Sequence, residues 1–208
     1  MKKLVLGVLL LSGIAFKAQD AAKVFSATEI VWFGMDFTKA KFVGQFDQGM
    51  GAMPATGGDM RNKWVPQWNA LIQNEQQNFD LKKALKKESV YYDIASVNTI
   101  NSKLDPDGCM DVNPTKIEKS TLAEMVKKYS SADKKDGVGL VFIVENFNKG
   151  TQIADVYVTF FDIATKKILL CGKVSGTARG VGIRNYWAGA IKAIIKELGS
   201  GTFKSWKE

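Results

Sequence analysis

The sequence predicts an α/β (α+β) fold with a single mixed β-sheet and packed helices, in the order β-α-β-α-β-β-β-α. Three observations predict this class. Apolar β-branched segments alternate with amphipathic segments over the first two thirds of the chain. Three strand-like segments separated by tight turns then follow one another directly. A final segment carries an apolar stripe with helical spacing, as expected of a helix that lies on a sheet.

The N-terminal segment, residues 1–18, has the pattern of a secretory signal peptide. Lys2 and Lys3 form a positive region, Leu4–Leu11 is apolar, and small residues precede a predicted cut after Ala18. The apolar run is too short to span a bilayer, and no cysteine at the cut could carry a lipid anchor. We therefore expect a cleaved signal, a single α/β domain over residues 19–208, and a periplasmic or secreted protein without a transmembrane span.

The first half of the predicted domain contains two strands and two helices. Thr28–Asp36 is rich in β-branched and aromatic residues and predicts the first strand, which Lys41–Gly44 extends after a turn. The glycine-rich segment Gln48–Gly58 predicts a loop. A helix is predicted over Trp64–Leu85, with Pro66 in its first turn and lysines at its end. It is followed by a strand over Ser89–Ala95, a polar loop over Asn101–Pro114 and a second helix over Thr115–Tyr129.

The second half predicts three strands and a closing helix. Val138–Val144 is almost wholly apolar, which is typical of a central strand buried on both faces. Turns at 148–150 and 162–166 separate it from the strands Ile153–Phe161 and Lys167–Ser175. A glycine-rich elbow, residues 176–182, then leads into a helix whose apolar residues recur up to Leu198, with Gly199 as its expected C′ residue.

The amino-acid composition excludes several chemistries. The chain has no histidine, which excludes Ser-His-Asp and Cys-His catalysis and any histidine-ligated metal. The net charge of +8 becomes +5 once the three lysines of the signal are removed, which favours an anionic ligand or a solvated basic surface. No segment interleaves aromatic residues with arginines, so we expect no nucleic-acid partner.

The two cysteines, Cys109 and Cys171, leave two alternatives open. Export would place them in an oxidising compartment, where they could form a disulfide between a loop and a strand. They could equally be separate thiols, with Cys171 buried as a small apolar residue.

The candidate binding residues lie in the elbow and in the glycine-rich loop. Backbone amides at a helix N-terminus bind anions, and arginines beside them would add positive charge. The alternative is a plain strand-to-helix turn capped by Asn185. Methionines in the loop suit either an adaptable binding surface or the core, with Met60 in the same group. The candidates are Arg179, Gly180, Gly182, Arg184, Asn185, Met50 and Met53.

Other constellations predict no catalytic or metal site. The acidic segment 105–113 lacks the spacing of a calcium loop, because its glycine stands at position 4 and Lys116 at position 12. Four carboxylates, those of Asp36, Asp47, Asp59 and Glu75, have no spacing that predicts an acid–base pair on a glycan. Among the tryptophans, Trp206 in the charged tail is expected to be exposed, whereas the others are expected in the core: Trp32, Trp64, Trp68 and Trp187.

Two stretches resemble a group of bacterial envelope proteins. Val156–Leu170 resembles their strand–D-x-x-T-G/K–strand hairpin, with Asp162, Thr165 and Lys166 in the turn. Gly176–Leu198 is similar to their glycine-containing segment and closing helix. The group comprises the curli-secretion lipoprotein, the lipoprotein activators of penicillin-binding proteins and the amino-terminal domain of TolB. The resemblance implies a small α/β sandwich that serves as an assembly or docking module and catalyses no reaction.

The sequence therefore favours a non-catalytic exported module, without a cofactor, that docks onto an envelope protein or onto itself. A small-molecule or glycan-binding protein with a pocket at the elbow is the first alternative. A histidine-free, carboxylate-based hydrolase is the second. Paired carboxylates in a pocket would favour the hydrolase, a pocket without them the ligand-binding protein, and an exposed apolar patch the docking module.

Overall fold

The computed structural model describes residues 18–47 and 53–207. The predicted signal peptide, apart from Ala18, lies outside these residues. The described part confirms the predicted fold class, because a single mixed sheet carries helices on both faces.

The sheet has seven strands within the described residues, and the long strands fall where the sequence predicts them. β5 is the central strand and is buried along almost its whole length. The strand bounds are β1 Glu29–Asp36, β2 Lys41–Val43, β3 Ser89–Tyr92, β4 Met110–Asp111, β5 Val138–Asn148, β6 Ile153–Asp162 and β7 Ile168–Thr177.

Strand pairing is parallel on one side of β5 and antiparallel on the other. β1 and β2 pair in turn with the first and second halves of β5, and β3 and β4 extend the sheet beyond them, all in parallel. β5, β6 and β7 form an antiparallel meander in which Val144 faces Val156 and Thr159 faces Cys171. The predicted meander is therefore confirmed, and the mixed sheet arises where it joins the parallel strands.

Helices cover both faces of the sheet. α3 and α7 pack on the face with the larger apolar cluster, whereas α5 and α6 contribute to the smaller cluster on the other face. The helix bounds are α1 Ala18–Ser26, α2 Gly57–Asp59, α3 Val65–Asn74, α4 Leu81–Ala84, α5 Ala95–Asn101, α6 Lys119–Val126, α7 Gly182–Glu197 and α8 Phe203–Ser205; π-helical turns over Met60–Trp64 and Leu198–Thr202 join α2 to α3 and α7 to α8.

The long helix predicted over Trp64–Leu85 is wrong at its start and in its continuity, although helical structure does end at Leu85, the C-cap of α4. Helical structure begins at Gly57, where Thr56 accepts a hydrogen bond from Asp59 N and completes a capping box. This first helical stretch ends at Asn74. Asp80 then accepts a hydrogen bond from Lys83 N at 2.8 Å and begins the separate helix α4.

Several other boundaries also differ from the prediction. The lead-in before β1 is the helix α1, and α5 and β4 replace part of the predicted strand and loop over 89–114. α6 is shorter than Thr115–Tyr129. Gly199 is not a C′ residue, because the chain continues in helical turns to Ser205. Within the turn Leu198–Thr202, the glycine with a positive φ is Gly201, at +147°.

The core tryptophans are confirmed, whereas the prediction for Trp206 is wrong. Trp32, Trp64, Trp68 and Trp187 are all buried. Trp206 packs on β7, where a Cβ added to Gly172 would lie 2.2 Å from its ring. The missing side chain of Gly172 therefore provides the space for the indole.

The buried carboxylate of Glu145 attaches the α6 side to the sheet at an irregularity in the β5–β6 register. Its Oε1 accepts a hydrogen bond from Ile117 N at 2.9 Å, and Lys173 forms a salt bridge with Oε2. Burial and the negative charge of Glu145 raise the pKa of neighbouring Tyr157 to about 12. These contacts give Glu145 a structural partner for each of its oxygens.

Candidate functional site

The elbow between β7 and α7 is held by close backbone contacts. A Cβ on Gly176 would lie 2.2 Å from Ala190 O, and one on Gly189 would lie 2.1 Å from Arg179 O. Arg179 N also donates a hydrogen bond to Tyr186 O at 3.1 Å. Gly180 and Gly182 have φ of +135° and +75°, which other residues rarely adopt. The glycines therefore let the elbow cross directly over the start of α7.

The N-terminus of α7 has no side-chain cap, so the predicted capping role of Asn185 is wrong. Val181 is the N-cap residue, and its apolar side chain cannot accept a hydrogen bond from the first helical turn. Asn185 lies inside the helix, where its Oδ1 accepts a hydrogen bond from Arg184 Nη1 at 2.9 Å.

The two arginines of the elbow have different surroundings. Arg184 Nη2 forms a 2.9 Å salt bridge with Glu75 Oε1, and this hydrogen bond lowers the pKa of the Glu75 carboxyl despite opposing desolvation. Trp68 Nε1 donates to the backbone oxygen of Arg184 at 3.1 Å. Arg179 is exposed. Glu75 therefore neutralises Arg184. Of the two arginines in the predicted anion site, Arg179 is the one that forms no salt bridge among the described residues.

An open cleft of about 290 Å³ lies beside the elbow. It brings the elbow together with Phe46 and Asp47, which directly precede residues 48–52, and with Lys149 from the β5–β6 turn. Lys149 Nζ lies 4.1 Å from the centre of the Tyr186 ring. The Tyr186 hydroxyl is buried and has no hydrogen-bond partner among the described residues. We call this cleft with its rim residue Val181 the elbow surface.

The methionines in and beside the glycine-rich loop differ in their exposure to solvent. Met53 is 82% exposed, whereas Met60 is fully buried in the larger cluster and belongs to the core. Met50 lies outside the described residues. From this part of the chain, the residues that line the cleft beside the elbow are Phe46 and Asp47, which precede the predicted loop Gln48–Gly58, and no described residue of that loop lines the cleft. Spacing along the chain did not indicate Lys149, because it comes from a turn more than thirty residues before the helix that it faces.

The four carboxylates considered for acid–base chemistry each have their own local partner. Asp36 is buried against the Tyr129 hydroxyl, at 2.7 Å, and burial raises the pKa of that hydroxyl well above its usual value. The partners are Tyr129 for Asp36, Gln45 for Asp47, Thr56 for Asp59 and Arg184 for Glu75. In the described part of the chain, no group of three or more acidic or cysteine side chains is placed to hold a metal ion.

Cys109 and Cys171 are separate thiols, so the structure has the second of the two predicted arrangements and not the disulfide. Cys109 belongs to the larger apolar cluster and Cys171 packs against the smaller one on the other face of the sheet. Burial raises the pKa of both thiols, which keeps them protonated and unreactive near neutral pH.

Comparisons with known proteins show a weak structural resemblance and no family. No protein-family model and no curated protein matches the chain. The C-terminal domain of LpoB from Salmonella enterica matches 77% of this chain and 94% of its own length, with 8% sequence identity and a TM-score of 0.31. The resemblance inferred from Val156–Leu170 and Gly176–Leu198 thus has only weak structural support, and a likeness at this level carries no argument about function. Over the described residues, no helix combines the length and apolar character needed to cross a bilayer.

Proposed function

We propose that this chain is an exported, non-catalytic binding module that docks onto an envelope protein, or onto a second copy of itself, through the elbow surface. The observation that carries the proposal is Val181, which is 90% exposed at the rim of an open cleft. Phe46, Ile183 and Trp187 line the cleft beside Val181, and an exposed apolar side chain that is continuous with such a lining favours a contact with a partner.

The backbone around Val181 adds a second reason. The first turn of α7 has backbone amides without a side-chain acceptor, and a partner carbonyl or carboxylate could accept hydrogen bonds from them. Gly180 and Gly189 hold this turn against the helix, so a partner would meet a rigid surface and lose little entropy in ordering it.

The chemistry of the chain supports a non-catalytic role. Without histidine, hydrolysis would depend on carboxylates or lysine, and the four candidate carboxylates are held by separate partners. Asp47 is the carboxylate that lines the elbow cleft, and the described residues of the lining include no second one to form an acid–base pair.

A matched pair of variants tests the docking surface. Val181→Asp places a charge at the proposed contact, and Val112→Asp places the same charge at another exposed valine, which is 82% exposed. Tagged wild type and variants would be crosslinked in the native envelope, purified and identified by mass spectrometry. We expect one defined envelope protein, or a self-dimer, to be lost with Val181→Asp and retained with Val112→Asp. Equal capture by both variants, or recovery of the monomeric bait alone, would contradict docking through the elbow.

A small anionic ligand is a second candidate, favoured by the concave shape of the cleft and by Lys149 at its edge. Calorimetric titration with inorganic phosphate and sulfate tests it. Binding that is weakened by Lys149→Gln would support a ligand site, whereas no heat at millimolar anion would rule it out.

A further inference from the structure

A second hollow, of about 550 Å³, opens where α4 meets the end of α7, and it shares no residue with the elbow surface. Its floor is apolar. Ala84 and Ile195 are both buried members of the larger cluster, and Gly199 packs beside them, where a Cβ would lie 3.3 Å from Ala84 Cα. A floor of this kind offers van der Waals contact to an apolar group.

Four exposed lysines line this hollow: Lys83, Lys86, Lys192 and Lys196. None of them takes part in a salt bridge among the residues that the structure describes. Lys192 Nζ lies 3.4 Å from Asn78 Oδ1, and its charge also helps to lower the pKa of the Glu75 carboxyl. Asp80 is the acidic residue of the lining, and one of its oxygens already caps α4. The hollow therefore has an apolar base and a strongly positive rim.

The apolar surface continues into a neighbouring hollow of about 380 Å³. The two share Ala84, Lys86, Gly199 and Ser200, and the second adds the rings of Phe25 and Phe203. Lys204 and Lys207 line its edge. The two hollows thus form one groove with an apolar floor, and Lys204 and Lys207 add further positive charge to it.

Helix electrostatics accounts for only part of this arrangement. Lysines at the C-terminal end of a helix are stabilised by the macrodipole, which explains Lys83 and Lys196 by themselves. It does not explain Lys192, which lies more than one turn before the end of α7. Lys87 lines the neighbouring hollow, but its Nζ donates hydrogen bonds to the carbonyls of Val24 and Ala27 at the end of α1. Within the lysine run 82–87, which the sequence assigned to a helix end, Lys87 is therefore a structural cation, whereas Lys83 and Lys86 line the groove.

We propose that this groove binds an amphiphilic anion, a molecule with a phosphate or carboxylate head and a hydrocarbon body. Flexible lysine ammonium groups suit a rounded anionic head that needs no bidentate geometry, and the apolar floor suits the hydrocarbon body. Charge complementarity and the apolar base each select one half of such a molecule. The groove and the elbow surface are separate, so failure of one proposal leaves the other untouched.

Calorimetric titration of the purified protein with three probes tests the proposal: monomeric dodecyl phosphate, inorganic phosphate, and dodecyl maltoside as a neutral molecule with the same chain. We expect dodecyl phosphate to bind at least tenfold more tightly than either of the others, since each of those has only one of the two recognised parts. Equal affinity for inorganic phosphate would reduce the site to charge alone, and equal affinity for dodecyl maltoside would reduce it to apolar contact. Either result would overturn the proposal.

Charge-matched variants locate the site. Lys192→Gln with Lys196→Gln removes two rim charges, and we expect about tenfold weaker binding of dodecyl phosphate. Lys116→Gln with Lys128→Gln removes the same charge from exposed positions flanking α6, and we expect unchanged binding. Equal weakening by both pairs would indicate a general effect of net charge. If the protein bound phosphatidylglycerol vesicles but not monomeric dodecyl phosphate, it would adsorb to a membrane surface and would have no site for a single amphiphilic molecule. That result would overturn the proposal.

Discussion

The replacement of Gly189 by alanine tests whether the elbow is seated on α7 as described. In the middle of an exposed helix, alanine is more favourable than glycine by about 1 kcal/mol. Here the added Cβ would lie 2.1 Å from Arg179 O and 2.9 Å from Arg179 N. Both atoms belong to the backbone, so no side chain can rotate away.

The expected sign is therefore opposite to that of helix propensity. Overpacking costs about 3 kcal/mol at the upper end of its usual range, which fits a backbone contact this short. Subtracting the gain in propensity of about 1 kcal/mol leaves a net destabilisation of about 2 kcal/mol. Urea denaturation measures it, with the midpoint lowered and the slope unchanged.

Gly58→Ala is the matched control for this prediction. Gly58 also lies in a helix, but the nearest atom to its added Cβ is Thr56 Oγ1 at 3.5 Å, an ordinary contact. We expect unchanged stability or a gain of up to about 1 kcal/mol. If Gly189→Ala were as stable as the wild type while Gly58→Ala behaved as expected, the close packing of the elbow on α7 would be refuted.

Three further predictions concern groups that attach separate parts of the fold. Lys87 holds the end of α1, because its Nζ donates hydrogen bonds to Val24 O at 2.6 Å and to Ala27 O at 2.8 Å. Lys87→Met should therefore lower the free energy of unfolding by about 2 kcal/mol, measured by urea denaturation. An unchanged midpoint would show that α1 is held without Lys87. Burial opposes ionisation of Asp162, but hydrogen bonds from Lys23 and Thr165 outweigh burial and hold the pKa of this carboxyl below 3.8. The ionised carboxylate therefore stabilises the fold above pH 3.8, and this stabilisation is lost as the pH falls through the lower pKa of the folded state. Asp162→Asn should therefore destabilise the protein by about 1 kcal/mol at pH 7 and progressively less below pH 3.8, and a pH-independent difference would contradict this. The pKa of Tyr157 is raised from 10.0 to about 12, so the folded state favours the neutral phenol. The stability of the wild type should therefore fall between pH 10 and pH 12 more steeply than that of Tyr157→Phe. Parallel stability curves would contradict the raised pKa.

The strands of the meander were predictable because their patterns are local. Tyr157 and Phe161 face the smaller cluster and Val156, Val158 and Phe160 face the larger one, as their alternation predicts. The continuous apolar run of β5 likewise indicated a strand covered on both faces. In such segments the side chains that define the strand are neighbours along the chain.

The helix boundaries were less predictable because tertiary contacts decide them. The amphipathic pattern of residues 64–85 extends across the break after Asn74, where buried Phe79 turns the chain into the core and Asp80 begins a new helix. α5 was missed for a related reason. Its buried residues, Val97 and Asn101, are few, and Asn101 is polar; its side chain binds the backbone of Met35 and Phe37 at the end of β1.

The candidate site shows the same division. The glycines and arginines of the elbow stand out in the sequence, and the structure confirms that the elbow is a strand-to-helix turn. The pairing of Arg184 with Glu75, 109 residues apart, removes one of the two predicted cations. Lys149 and Asp47 join the site from other loops.

Hydrophobic periodicity acts over a few residues, so the class of fold, the central strand and the meander follow from the sequence. The lack of histidine also excludes whole classes of catalysis. Which charges are neutralised and which remain exposed depends on the tertiary fold, because an ion pair or a lysine-lined groove is made of residues from distant segments. For that reason Arg184 loses its predicted role, and lysines that the sequence assigned to a helix end line an apolar groove.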